Sequence, residues 1–377
     1  MHDCDIVIVG GGPTGSTLAW LLVAQGWQVV VLDKQEFPRD KVCAGWITPA
    51  VVSSLQLDLN DYAQGRTLQD IHQFRTSFIG GHDLLTSYAD TASYGIRRRE
   101  FDDYLLRRSG AELHLGEPLQ SAGYHDGHWH INNRWRSPLL IGAGGHYCPV
   151  ARRLGAQLGQ AEAPITAQEI ELEMTAEQAA ACPIAGDTPE LFFTPQLDGY
   201  GWLFRKGDVL NIGLGRKAGG RLADSLAEFV DSLQRQGKLQ HIELPQRWHG
   251  HAYLCFTQRQ SRQLIDDGVL LLGDAAGLAY PQSGEGILPA IESALLAAEV
   301  IIAAKNDYRH AQLQPYVDKL ISRFGSRLAT SDSTSRWLPA ALQQKLARYL
   351  LNNPWFTRHI VLDRWFLHRH LHSLGKH

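Results

Sequence analysis

The chain has 377 residues, 44% of them apolar and 20% charged, with a formal net charge of −3. Those proportions exclude disorder, provide no basic face for nucleic acid, and suit two packed lobes, because single cores stop growing near ~250–300 residues. Five scattered cysteines (Cys4, Cys43, Cys148, Cys182 and Cys255) with no Cys-x-x-Cys pair point to a reducing cytoplasm and away from a disulfide framework or zinc site.

The start carries Asp3 and Asp5 where a secretory signal would be positive, and no stretch approaches the ~18 uninterrupted apolar residues of a transmembrane helix. Ile6 to Val9 reads as a buried strand running into Gly10-x-Gly12-x-x-Gly15. A helix from Pro13 to Gly26 and a second apolar strand, Val29 to Asp33, complete a dinucleotide-binding βαβ unit. In such a unit Gly10 makes the tight turn, Gly12 lets backbone N–H groups approach a pyrophosphate, and Gly15 lets the helix pack on the strand. Pro13 and Thr14 open the helix at its positive end, and Asp33, with Lys34 beside it, accepts hydrogen bonds from a ribose diol.

Phe37 to Trp46 reads as a loop leading to a helix near Thr48-Pro49, and residues from about 72 to 94 as strands of a separate sheet. An amphipathic helix follows, with Phe101, Leu105 and Leu106 on one face. Leu113 to Leu119, Trp129 to Trp135 and Leu139 to Gly142 read as strands returning to the first lobe. From about 163 to 258 the period is two, interrupted by a helix near Leu222 to Gln236, which gives a second lobe built on an antiparallel sheet. Tyr200, Trp202 and Phe204 share one face of a strand there and form an aromatic wall for a substrate.

Val269 to Leu272 is a fully apolar strand that delivers the Gly273-Asp274 carboxylate to the end of a parallel sheet. Gly284 and Gly286 then allow close backbone approach before an apolar helix from Ile287 to Ala304, whose N-terminus carries partial positive charge. Residues from about 311 to 377 are helical, aromatic and basic. From Trp337 onward, Lys345, Arg348, Arg358, Arg364, Arg369 and Lys376 stand against a single acid, Asp363. This stretch reads as a helical cap over the substrate pocket, with peripheral contact at a lipid surface as the alternative. The His128/His130, His249/His251 and His368/His370/His372 spacings resemble metal ligands only superficially, and no metal is expected.

Several blocks resemble a known class. Phe37-Pro38-Arg39-Asp40-Lys41-Val42-Cys43-Ala44-Gly45 is similar to the P-x-x-K-x-C-G-G loop of geranylgeranyl-reductase-type flavoproteins, with Ala44 for the first glycine. Arg98-x-x-Phe101-Asp102 resembles the R-x-x-F-D signature of that superfamily, and Gly273-Asp274-Ala275-Ala276 its G-D-A-A block. Tyr200-x-Trp202-x-Phe204-Arg205-Lys206 resembles Y-x-W-x-F-P-K, with Arg205 for proline. Gly142-Ala143-Gly144-Gly145 resembles the G-A-D-G block of flavin hydroxylases, but Gly144 replaces its aspartate, which weighs against a standard NAD(P)H-driven hydroxylase.

The resemblance implies FAD as cofactor in an α/β fold: a Rossmann-like FAD-binding lobe with a mainly parallel sheet, an inserted antiparallel-sheet substrate lobe, and a C-terminal helical segment. The division is 1–71, 95–162 and 259–310 for the FAD-binding lobe, 72–94 and 163–258 for the substrate lobe, and 311–377 for the cap. It implies Lys41, Cys43 and Gly45 beside the flavin ring, Arg98 reaching the cofactor, and Leu119 against the adenine. The activity implied is that of an FAD-dependent oxidoreductase reducing C=C bonds of an apolar, prenyl-like substrate. The alternatives are a monooxygenase hydroxylating an aromatic small molecule or protein-bound aromatic residue, and a non-enzymatic flavin-binding electron carrier or partner protein. Electrons would come from NAD(P)H bound transiently across the lobes or from a reduced carrier. No residue announces itself as a catalytic acid or base, and the oligomeric state stays open.

Overall fold

A computed structural model describes residues 1–157, 164–217, 221–256, 262–325 and 340–375. At its centre is a six-stranded sheet ordered Ile265–Asp266, Val269–Leu271, Leu139–Gly142, Ile6–Val9, Val29–Asp33, Glu112–Leu115. All neighbours are parallel except the edge pair Ile265–Asp266 with Val269–Leu271. The continuous Ile/Val/Leu runs explain this: strands covered on both faces need apolar side chains at every position, and Ile6, Val7, Ile8 and Val31 are fully buried. Helix Ile287–Ala303 packs against helix Pro13–Val23 and is buried along most of its length.

A second sheet has seven strands, ordered His249–Tyr253, Ile165–Glu173, Val209–Lys217, Gly199–Lys206, Glu190–Phe193, Gln73–Phe78, Leu84–Ser87. Strands from 73–87 therefore join those from 165–253 in one sheet. The sheet is mixed rather than wholly antiparallel, because Glu190–Phe193 runs parallel to Gln73–Phe78. These two strands are joined by a long excursion through the first lobe, and such a connection brings the chain back in the same direction. One face of the sheet is closed by helix Leu222–Arg235 through Phe192, Leu203, Ile212 and Phe229. The other carries Trp46, Phe74, Trp202 and Phe204, covered by Val361, Leu362 and Phe366 of the helical segment Thr357–Phe366. Of the C-terminal stretch, Trp337 and Lys376 lie outside the described residues.

Two expected strands differ. Trp129 to Trp135 is a hairpin, not one strand: His128–Ile131 pairs antiparallel with Trp135–Ser137, and the chain reverses at Asn132 and Asn133 with φ of 51° and 52°. Asparagine tolerates that left-handed backbone, so the turn was written in the pair. The hairpin belongs to a separate four-stranded sheet with His2–Asp3 and Ala122–His125. The strand expected over Leu113 to Leu119 ends at Leu115, where Gly116 takes φ 73°, which leaves Leu119 in the following loop. A three-stranded sheet, Trp46–Ile47, Ser93–Ile96 and Leu68–Ile71, completes the fold.

Candidate active site

The two large sheets enclose a cleft of about 1100 Å³. Gly10, Gly12, Pro13, Thr14, Asp33, Lys34 and Leu119 line it together with Lys41, Cys43, Gly45, Arg98, Asp274, Gly284, Gly286, Ile287, Tyr200 and Trp202. Gly15 and Gly273 do not. Gly15 sits beneath the turn, where a Cβ would collide with the Gly10 carbonyl oxygen, and Gly273 abuts Thr14 while donating its N–H to Ser293 Oγ at 3.0 Å. Phe204 also stays out of the cleft. Although it shares a strand face with Tyr200 and Trp202, it is fully buried against Gly95 and Trp46, which cover that end of the strand.

The loop from Lys41 to Gly45 is clamped to the second sheet. Cys43 donates its N–H to Glu169 Oε2 at 2.7 Å, and its carbonyl accepts from Asn211 Nδ2 at 3.2 Å. Lys206 Nζ donates to the Ala44 carbonyl (3.3 Å), the Ile96 carbonyl (3.0 Å) and Glu171 Oε2 (3.0 Å). Gly45 adopts φ 73° because a side chain there would strike the Ile96 carbonyl.

Arg98 grips fully buried Asp102 with two bonds of 2.9 and 3.0 Å, and Arg39 joins them at 3.4 Å. Burial opposes the Arg98 charge, but Asp102 and the Cys43 thiol outweigh it and hold the guanidinium protonated. Lys41 Nζ lies 2.6 Å from His251 Nε2, and His251 Nε2 lies 3.8 Å from Asp274 Oδ2. Burial pulls the Lys41 ammonium down to about 8, against the pull of Asp274. Burial and the Lys41 charge lower His251 to about 4, so a neutral imidazole sits beside the carboxylate rather than an ion pair. Asp274 itself stays below its ordinary range: burial raises it, but His251, Lys41 and Arg98 more than compensate.

Two carboxyls behave oppositely. Burial pushes Glu169 up to about 8 despite the Cys43 N–H, and pushes Glu285 up to about 8 despite its bond to the Leu288 N–H at 2.7 Å. A glutamate that keeps its proton in the fold but releases it when unfolded makes stability fall as pH rises from 4.5 to about 8. Glu169→Gln is therefore expected to flatten that loss, by up to ~5 kcal/mol for a shift of this size, in urea unfolding at the two ends of the window. An unchanged pH slope would contradict a protonated Glu169.

Sequence reasoning missed Arg39, Glu169, His251 and Glu285. Glu169, Glu171 and Glu173 alternate along one strand, and carboxylates repeating on one face of a sheet were the available signal. His251 had been visible only as half of a His-x-His pair, and Arg39 and Glu285 had no pattern of their own. Among the described residues no group of three or more His, Cys, Asp or Glu side chains could hold a metal ion, and no helix is long and apolar enough to cross a membrane.

Residues 5–92 match the FAD dependent oxidoreductase family. Digeranylgeranylglycerophospholipid reductase 3 of Methanosphaera stadtmanae is 29% identical over 87% of this chain and 85% of that one. The menaquinone reductase of Mycolicibacterium smegmatis is 29% identical over 81% of this chain and 78% of its own length. A geranylgeranyl bacteriochlorophyll reductase-like structure from Thermoplasma acidophilum superposes with TM-score 0.71 at 20% identity, covering 96% and 99% of the two chains.

The chain is an FAD-dependent oxidoreductase. Its fold is shared beyond reductases: a probable FAD-dependent monooxygenase from Pseudomonas aeruginosa superposes with TM-score 0.61 at 19% identity, over 86% and 98% of the chains. The oxidoreductase's own residues fit the cofactor. Gly12 needs no internal space, since a Cβ there would meet only Arg39 Nη2 at 3.4 Å, so its backbone is turned to the cleft at the start of helix Pro13–Val23. Asp33 is buried at the same end, with Oδ2 on the Gly11 N–H (2.8 Å) and Oδ1 on the Gln35 N–H (2.9 Å), which fixes the carboxylate while leaving each oxygen able to accept again. In this FAD-dependent oxidoreductase the N-terminus of helix Ile287–Ala303 opens onto the same cleft beside Gly284 and Gly286.

Proposed function

We propose that this oxidoreductase saturates C=C bonds of an apolar, prenyl-like substrate. The observation that carries the reading is the continuity of one cleft from the glycine turn to an aromatic wall of Tyr200, Trp202, Trp46 and Phe366. Similarity to a digeranylgeranylglycerophospholipid reductase supports it. The wall is rigid: Trp202 Nε1 donates to Asn211 Oδ1 at 2.6 Å, and Tyr200 Oη donates to the Ser283 carbonyl at 2.5 Å, so both rings present apolar surface with their polar tips satisfied.

When bound and reduced, FAD would supply a hydride to one carbon of the double bond, leaving one proton to be added to the other. Gly10, Gly12, Pro13 and Thr14 would hold its pyrophosphate, Asp33 and Lys34 the ribose, Leu119 the adenine, and Asp274, Gly284, Gly286 and Ile287 the flavin end, with Lys41, Cys43, Gly45 and Arg98 around the ring. Gly15 and Gly273 shape this cradle from behind. Saturation also consumes a proton. Lys41, lowered to about 8 by burial and backed by His251, is one of three side chains lining the cleft, with Glu169 and Glu285, matched to hold and release one at physiological pH. NAD(P)H resting transiently across the cleft, or a reduced carrier, would provide the electrons.

The test is anaerobic incubation of chemically reduced holoprotein with a digeranylgeranyl lipid, read by mass spectrometry. Gain of two hydrogens per double bond is expected. Turnover that requires oxygen and leaves an oxygen atom in the product would replace this reading with hydroxylation.

A further inference from the structure

We infer that the outer face of helix Ala340–Leu351, continued by Trp355, is a docking surface for an anionic lipid bilayer. The inference goes beyond the reaction and stands whichever substrate the cleft takes. Leu342, Leu346 and Tyr349 fall at i, i+4 and i+7, which places them on one stripe of the helix, and they are 48, 48 and 71% exposed; Trp355 just beyond is 64% exposed. Three large apolar side chains left on one stripe in solvent, with a fourth exposed four residues beyond the helix end, call for a partner.

The opposite side of the helix shows which way the stripe points. Arg348 donates to the Pro195 carbonyl at 3.3 Å and lies over the Phe78 ring at 5.5 Å, and Leu351 packs into the aromatic cluster of the second sheet. The stripe therefore faces away from the protein.

Charge selects the occupant. Over residues 340–375 the chain carries Lys345, Arg348, Arg358, Arg364 and Arg369 against Asp363, a formal +4 within a protein whose total is −3. Asp363 is already engaged by Tyr88 at 3.0 Å and Arg369 at 3.7 Å. Lys345, on the flank of the stripe, and Arg364 are both exposed and have no carboxylate partner among the described residues. A second copy of the chain would set Lys345 and the rest of this positively charged segment against their own copies. An anionic bilayer instead takes the apolar stripe into its interface while lysine and arginine meet the headgroups, and Tyr349 and Trp355 are the residue types that settle at that boundary.

The surface also adjoins the cleft. Phe78 under Arg348 lies 6.2 Å from the Phe193 ring, and Phe193 lies 6.5 Å from Tyr200, so a row of aromatic rings connects the docking helix to the cleft wall.

Holoprotein would be floated with vesicles of phosphatidylglycerol and phosphatidylcholine, and separately with phosphatidylcholine alone, at low and high salt. Binding to the anionic vesicles that weakens with salt is expected, with roughly tenfold less bound protein for Leu346→Glu/Tyr349→Glu at unchanged flavin content. Wild-type protein that stays in the aqueous fraction with phosphatidylglycerol vesicles, or a double variant that floats equally well, would overturn the inference. So would sedimentation of the wild type as a dimer that the double variant splits, because the face would then belong to a second copy. None of these readouts requires turnover, so they are independent of the proposed reaction.

Discussion

Gly15→Val is expected to yield protein that purifies without flavin colour and unfolds at markedly lower urea concentration. A Cβ at Gly15 would collide with the Gly10 carbonyl oxygen and come within 3.1 Å of Ile8 Cγ2. Gly10 has little room to move aside: it holds φ 115°, and a Cβ added to it would strike the Ala143 carbonyl group. The helix would have to lift from the strand, carrying its first N–H groups away from the cleft, at a cost of about 3 kcal/mol for overpacking a rigid site. Gly12→Ala is the matched control. Its methyl group meets only the flexible end of Arg39, so this variant should fold with near-normal stability and lose flavin affinity alone. Absorbance of the purified protein and urea unfolding separate the two outcomes. Gly15→Val protein that retains a full complement of flavin would contradict the packing argument.

Lys206→Met should be the most destabilising change outside the glycine turn. The lysine side chain is fully buried and contributes three bonds, two to backbone carbonyls of the Lys41–Gly45 clamp and its neighbouring strand and one to Glu171. Methionine fills the space but takes the lysine donor away from both carbonyls and leaves Glu171 with Arg97 at 2.8 Å and Asn211 at 3.3 Å. Glu171, 21% exposed and still paired with Arg97, loses one partner, and the cost of leaving a polar group short of a hydrogen bond is roughly 1–3 kcal/mol per buried group. Glu171 is held below the ordinary carboxylate range by Lys206 and Arg97 against the effect of burial, so it would titrate higher in the variant. Adding Glu171→Leu should recover part of the loss in urea unfolding, since the stranded carboxylate disappears. A single variant as stable as wild type would show that Lys206 does not hold the loop.

The sequence by itself determined whatever depends on local periodicity and backbone freedom. The glycine spacing, the apolar runs of the parallel sheet, the period-two strands of the second lobe and the helix starting at Ile287 are all properties of residues close in the chain, and each is present in the fold. The hairpin at Asn132 and Asn133 reads from the sequence as one strand, although the asparagine pair carries its turn. Tertiary structure alone decided what covers each face. Tyr200, Trp202 and Phe204 share one side of a strand, yet only the first two reach the cleft, because Trp46 and Gly95 arrive from a distant segment to bury the third. Glu169 meets Cys43 across 126 positions, and Lys41 meets His251 across 210. Periodicity assigns a side chain to a face, but its protonation depends on burial and on charges brought up by other segments, and those follow only from how the two sheets close on each other.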